Sequence, residues 1–252
     1  MMDKPEKIND SLSLFSLDGS LDFGTDAYLL SAYVKKSVGG IYAELGAGNG
    51  VISMLCAARG KAKHITAFEI QRELADIAAK NVAFNKLSEK IEVVCGDVRS
   101  VDKKYFGRFD TVFSNPPYLK TGAGLESENE SARICRREVT GGIADFSSAA
   151  AKLLRYGGNF VCVYRPDRTA EMIFSMRKNG IEPKRITVVY PTEKHVPCLI
   201  LCEGIKGGKE GVFFTRPLII YSSQSDMTQS GYTDEMNYIY TNGDFNGYYK
   251  KP

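Results

Sequence analysis

The sequence predicts an α/β fold, a mostly parallel sheet covered by helices, and three observations carry that expectation. An apolar strand pattern, Ile41-Tyr42-Ala43-Glu44-Leu45, runs into the turn Gly46-Ala47-Gly48-Asn49-Gly50 and then into a helix pattern, Val51 to Ala58. Strand, glycine turn and helix make the first half of a nucleotide-binding βαβ unit. Two more strand patterns end in an acid as the first does: His64 to Glu69, and Ile91 to Cys95 followed by Gly96-Asp97. A fourth, Phe109 to Phe113, closes on Ser114-Asn115-Pro116-Pro117-Tyr118. Open α/β sheets bind ligands beyond the carboxyl ends of their strands, and that is where Glu44, Glu69, Asp97 and the proline corner fall.

Composition narrows the class. At 252 residues, with 43% hydrophobic and 25% charged, the chain suits one large domain, or one domain with a small appendage. No apolar run approaches the roughly 20 residues of a membrane span, and Met1 to Asp10 is polar, without the apolar region of a signal peptide. Cys56, Cys95, Cys135, Cys162, Cys198 and Cys202 are scattered without a C-x-x-C pair, which points to a reduced cytoplasmic protein. His64 and His195 are the only histidines, little material for a His-based metal site or triad, and no metal is expected. A net charge of +3 neither demands nor excludes a nucleic-acid partner.

In chain order, residues 1–22 read as a polar N-terminal extension, 23–205 as the main domain and 206–252 as a partly flexible C-terminal extension. Phe23-Gly24-Thr25-Asp26-Ala27 opens a short helix with Ala27, Leu30 and Val34 on one apolar side. Thr25 or Asp26 either caps it or sits beside a polar ligand. The glycine spacing is G-x-G-x-G with Glu44 two residues ahead, not the G-x-G-x-x-G of dinucleotide binders. An acid there repels a pyrophosphate and suits a ligand carrying a cationic amine, such as a zwitterionic amino-acid group. Glu69, about 20 residues past the glycines, stands where such folds place the carboxylate for ribose hydroxyls. A helix follows from about Arg72 to Asn85, with Leu74, Ile77, Ala78, Val82 and Ala83 on its apolar side.

The proline corner is the candidate catalytic site. Each proline fixes its own φ and lacks a donor, and Asn115, preceding a proline, is driven to extended geometry. The Asn115 side-chain oxygen and the Pro116 carbonyl become two fixed acceptors, with Tyr118 as a stacking face. That arrangement suits a flat group bearing an NH₂, an adenine edge or a carboxamide. Leu119 to Thr140 is a long polar loop carrying Arg133, Arg136 and Arg137, read either as a contact to a phosphate backbone or as a solvated face. Beyond it the pattern gives a helix over 145–155 stopped by Gly157-Gly158, a strand over 160–164, a helix over 168–178, and strands over 185–190 and 196–202 as an antiparallel pair. The tyrosines of the tail, from Tyr221 to Tyr249, receive no role.

Glu44 to Gly50, Glu69, Gly96-Asp97 and Asn115-Pro116-Pro117-Tyr118 together resemble the S-adenosylmethionine-dependent amino-methyltransferases. Phe23 to Ala27, Glu69-Ile70-Gln71 and the late Gly231-Tyr232-Thr233 are more closely similar to bacterial tRNA adenine-N6 methyltransferases that modify position 37 of valine tRNA. The resemblance runs from about residue 12 to 240. It implies a Rossmann-like class I methyltransferase with a seven-stranded, mostly parallel sheet and an antiparallel last strand pair. It implies S-adenosyl-L-methionine as cofactor and tRNA as partner, a monomer, and no metal or membrane.

The resemblance further implies the following roles. Glu44, Gly46, Ala47, Gly48 and Gly50 hold the methionine part, with Thr25 and Asp26 near its amine or carboxylate. Glu69 and Ile70 serve the ribose, Asp97 and Val98 the adenine, and Asn115 borders both ligands; Asn115, Pro116, Pro117 and Tyr118 form the catalytic motif. Other readings differ in kind. Enzymes that methylate a release-factor glutamine share the motif but carry a longer helical region before the glycine turn than the roughly 40 residues here. Guanine-N2 methyltransferases of ribosomal RNA often place Phe after the prolines. A cofactor-binding scaffold without activity fits poorly with intact Glu44, Asn115 and Tyr118, and a dehydrogenase fits poorly with the glycine spacing.

Overall fold

The computed structural model describes residues 5–9, 11–16, 24–117 and 141–246. Tyr118, Cys135 and the arginines 133, 136 and 137 lie outside the described residues. The chain opens with a small antiparallel hairpin, β1 (Glu6–Lys7) and β2 (Ser13–Leu14), and then α1 (Thr25–Tyr33). Then come β3 (Ile41–Leu45), α2 (Val51–Ala58), β4 (His64–Glu69), α3 (Arg72–Phe84), β5 (Ile91–Cys95) and β6 (Phe109–Ser114). The second half holds α4 (Ile143–Leu153), β7 (Leu154–Tyr164), α5 (Thr169–Lys178), β8 (Ile181–Tyr190) and β9 (Leu199–Lys206). Two short strands, β10 (Phe213–Phe214) and β11 (Leu218–Ile219), and α6 (Asp234–Asn242) complete it.

The large sheet runs β10-β8-β9-β7-β6-β3-β4-β5, with β11 also on β8. The seven long strands are those expected, and β10 and β11 extend the sheet to nine. Within the antiparallel pair only β9 is reversed: it opposes both β7 and β8, whereas β10 and β11 lie parallel to β8. The chain goes β3, β4, β5 in one direction, then returns to place β6 on the other side of β3. This is the topological switch point where doubly wound sheets open a crevice.

Alternation along the central strands explains the two-sided core. Phe113, Val161 and Val163 join Leu29, Leu30, Met54 and Leu55 on the face covered by α1 and α2, while Val112, Phe160 and Cys162 join Phe146, Leu153, Met172 and Met176 on the face covered by α4 and α5.

Several boundaries depart from the sequence reading, β9 among them, which runs Leu199–Lys206 against the expected 196–202. Gly157-Gly158 does not stop a helix; α4 already ends at Leu153 and both glycines lie within β7. Between the pairs Phe109–Leu154 and Thr111–Asn159 the extra residues fall in β7, and a Cβ on Gly158 would stand 3.1 Å from the Asp110 carbonyl oxygen. A glycine in a strand marks such close approach. β8 starts four residues early and includes Pro183, accommodated at a register shift between Pro183 and Arg185.

The tail without an assigned role is packed. Ile220, Met236, Ile239 and Phe245 enter the core on the α1 side, and Phe245 meets Tyr33 edge-on at 5.1 Å. Thr233 caps α6, its Oγ1 accepting from the Met236 N–H at 3.2 Å, and Gly243 ends it with φ 67°. At the other end of the chain Asn81 and Asn85 of α3 hold the backbone of Phe15 and Ser13. Among the described residues no helix is long and apolar enough to cross a membrane.

Candidate active site

A cleft opens at the carboxyl ends of β3 to β6 and takes lining residues from each of them. Of the residues singled out in the sequence, Gly46, Gly48, Glu69, Ile70, Asp97, Val98, Asn115 and Pro117 line it. Gln71, Leu74 and Phe146 line it too and were missed. Gln71 sits two residues past Glu69 on the same strand end, a position that could have been counted. Phe146 comes from α4, far from the other lining residues in sequence, and lies against Gly46; no local signal announces it. Thr25, Asp26, Glu44, Ala47, Gly50 and Pro116 are close by in the fold but are not part of the lining.

The glycine turn takes a shape that side chains resist. Gly46, Gly48 and Gly50 have φ of 71°, 55° and 85°, the left-handed region that favours glycine. A Cβ on Gly48 would meet no atom within 4 Å, so the backbone there faces open space and a ligand can approach it closely. Gly50 stands at the N-terminus of α2.

The three strand-end acids differ sharply. Glu69 is buried and stitches two loops together: its Oε2 accepts from the Gly48 N–H at 2.8 Å and its Oε1 from the Gln71 N–H at 2.9 Å. Asp97 is gripped by Arg99, whose Nε donates to both carboxylate oxygens at 2.9 Å. That contact, rather than solvent, holds the Asp97 carboxyl below its ordinary range. Glu44 is sealed from solvent, and only one of its oxygens is satisfied: Oε2 accepts from the Ser53 N–H at 3.0 Å and from the Ser53 hydroxyl, while Oε1 has no partner. Burial pushes the Glu44 carboxyl up to about 8, opposed by the Ser53 hydrogen bonds and reinforced by Glu69.

At the proline corner, β6 is tied to β3 by the Ser114 hydroxyl, which donates to the Leu45 carbonyl at 2.7 Å. Asn115 follows. Its Nδ2 donates to Asp26 Oδ2 at 2.8 Å, while its Oδ1 is buried without a partner. The capping reading of Thr25 and Asp26 is corrected here. The N-cap is Gly24, without a side-chain hydrogen bond, and both residues lie inside the first turn of α1. Pro116 is buried behind the corner. Tyr118, the expected stacking face, and the loop arginines lie outside the described residues.

Sheet order, glycine turn and strand-end acids around one crevice define a class I methyltransferase. A model of the methyltransferase small domain matches residues 7–179, and the chain belongs to that family. A curated tRNA1(Val) (adenine(37)-N6)-methyltransferase from a Flavobacteriaceae bacterium is 28% identical over 191 residues, 69% of this chain and 78% of the relative. The protein of the same name from Bacteroides fragilis is 27% identical over 171 residues, 68% of this chain and 71% of that one. Among solved structures, a predicted O-methyltransferase from Agrobacterium tumefaciens aligns with a TM-score of 0.69 at 24% identity, over 87% of this chain and 97% of that one. That likeness concerns the fold.

Proposed function

We propose that this methyltransferase carries a methyl group from S-adenosylmethionine to the N6 amine of adenine 37 in a valine tRNA. The observation that carries the proposal is the Asn115 side-chain oxygen: buried acceptors are nearly always satisfied, and this one is unpartnered beside the cleft. The two relatives named above act, by their names, on that adenine.

The residues present fit the cofactor. The open backbone at Gly48 admits a close ligand. The unpartnered Glu44 Oε1 is the acceptor that would take the methionine amine, a cation that favours the ionised carboxyl. Glu69 with Ile70 would serve the ribose hydroxyls, and Asp97 with Val98 the adenine. When bound, S-adenosylmethionine supplies a methyl group on a positively charged sulfur.

An adenine amine is conjugated with its ring and a poor nucleophile. Asn115 Oδ1 and the Pro116 carbonyl accept its two N–H groups and turn the lone pair toward the methyl donor. Tyr118 stacks the base, which first leaves any helical stack it occupies. The nitrogen would take the methyl group as the donor's carbon–sulfur bond breaks, the electron pair staying on sulfur as a neutral thioether, and would release a proton to water. Catalysis is chiefly positioning, with no strong general base. Arg133, Arg136 and Arg137 contact the phosphate backbone, and the protein works as a monomer. The free thiols of Cys56, Cys95, Cys162, Cys198 and Cys202 suit a reducing cytoplasm.

The test is labelled methyl transfer run in parallel on total bacterial tRNA, ribosomal RNA and a release factor. Label recovered as N6-methyladenosine from the tRNA is the expected result. Label confined to the release factor would move the chemistry to a glutamine carboxamide, and label confined to ribosomal RNA would move it to another base.

A further inference from the structure

Asp26 and Asn115 are 89 residues apart in sequence and joined by one hydrogen bond, from Asn115 Nδ2 to Asp26 Oδ2 at 2.8 Å. We infer that Asp26 is a positioning residue for methyl transfer, holding the Asn115 amide so that its oxygen faces the incoming amine. The inference rests on the catalytic reading of Asn115 and adds what orients that side chain.

An amide can present either its oxygen or its nitrogen. The backbone of a residue before proline is restricted, but that restriction leaves the terminal side-chain torsion broad. A carboxylate accepts and cannot donate. Beside Asp26 the amide must therefore turn its NH₂ toward the acid and its oxygen away. The oxygen turned away is the buried Oδ1 that has no partner. The reverse orientation would set two acceptors against each other and offer a donor to an amine that also donates.

Asp26 is itself held. Its second oxygen, Oδ1, accepts from the Ala27 N–H at 2.9 Å in the first turn of α1. That helix is locked at both ends. In its first turn the Tyr28 ring packs on Tyr240 of α6, centroids 4.8 Å apart. At the far end the buried Lys61 ammonium donates to the carbonyls of Ser31 at 2.6 Å and Ala32 at 2.9 Å. Leu29 and Leu30 are fully buried between them. A rigid helix turn thus reaches across the sheet end to set one amide, and the C-terminal segment braces it through Tyr240. Because both Asp26 oxygens are engaged, one by Asn115 Nδ2 and one by the Ala27 N–H, this role differs from a contact with the methionine group.

The experiment compares Asp26→Ala, Asp26→Asn, Asn115→Ala and the double variant Asp26→Ala/Asn115→Ala, with methyl transfer to a valine tRNA transcript and calorimetric binding of S-adenosylmethionine. Misplacing a reacting group by about 1 Å costs on the order of 100-fold, so D26A should lower kcat by about 10- to 100-fold. Its KM for tRNA and its cofactor affinity should stay within about threefold. D26N keeps the size of the side chain but leaves one acceptor oxygen for two donors, Asn115 Nδ2 and the Ala27 N–H, and its NH₂ no longer forbids the reverse amide orientation, so its kcat should fall between those of D26A and wild type; it serves also if the alanine variant is poorly folded. In the N115A background D26A should add no further loss, since groups acting as a unit are non-additive.

A tenfold weaker cofactor affinity with unchanged kcat would overturn the inference in favour of cofactor binding. A multiplied loss in the double variant, or a D26N variant that binds cofactor yet is as inactive as N115A, would also overturn it. The two readings fail separately. Wild-type turnover by N115A removes the catalytic reading itself, whereas an inactive N115A beside a fully active D26A removes only the positioning role.

Discussion

The acid side of the cleft and its proline corner solve opposite problems. At the ends of β4 and β5 the carboxylates are already engaged: Glu69 by two backbone N–H groups, Asp97 by Arg99. At the proline corner the Asn115 oxygen is left without a partner although it is buried. An engaged acid can shape a ligand pocket before any ligand arrives, because its hydrogen bonds hold the loops that border it. An unengaged acceptor stores an unmet hydrogen bond, and a substrate N–H can supply it. Glu44 stands between these cases, with one oxygen held by Ser53 and the other unmet. Residue type alone does not separate these cases; the hydrogen-bond partners of each oxygen do.

The largest effect should come from Asn115→Ala. Removing one preorganised hydrogen-bonding group from a reacting centre costs on the order of 100- to 1,000-fold in kcat, with cofactor affinity nearly unchanged, as read by single-turnover transfer and calorimetry. A large loss of cofactor affinity instead would erase the contrast between the two sides. Glu69→Ala comes next and acts on the other side. It orphans the Gly48 and Gln71 N–H groups, lowering stability by about 1–3 kcal/mol and weakening cofactor binding by at least about tenfold, measured by thermal melts and calorimetry.

Glu44 sharpens the comparison through pH. Its folded carboxyl is raised from 4.5 to about 8, so the fold favours the protonated form. The stability this contributes is fully present below about pH 4.5 and is lost as pH rises through about 8. The melting temperature of the cofactor-free protein should therefore fall between about pH 5 and 9, and Glu44→Gln should flatten that slope. An unchanged slope would mean that Glu44 is not the buried neutral acid described. The smallest effect belongs to Arg99→Ala. Arg99 and Asp97 are a partly exposed pair, with side chains 38% and 27% accessible, and such pairs contribute about 0–1 kcal/mol. The melting temperature should barely move, and cofactor affinity should change by less than about threefold.

Much of this was legible in the chain because its signals are local. Strand runs closing on Glu44, Glu69 and Asp97, glycines at positive φ, and a pair of prolines after β6 each announce themselves within a few residues. The fold followed from their order. Signals that failed were ambiguous or remote. Gly157-Gly158 read as a helix stop because glycine usually punctuates, yet here it sits in a bulge of β7 that lies close against β6. The expected strand over 185–190 began too late because a register shift lets β8 run through Pro183. Thr233 and Gly243 do carry cap chemistry for α6, and the aromatic tail around them obscured it. The Asp26–Asn115 bond spans 89 residues, and no spacing rule reaches that far; nor does one bring Phe146 into the cleft.

The central claim is that the unmet Asn115 oxygen receives an exocyclic amine of one tRNA adenine. Single-turnover transfer to two valine tRNA transcripts, one with adenine and one with guanine at position 37, tests it most directly. The account predicts N6-methyladenosine at position 37 of the first and no label in the second. Equal labelling of both transcripts, or label at another nucleotide, would contradict it.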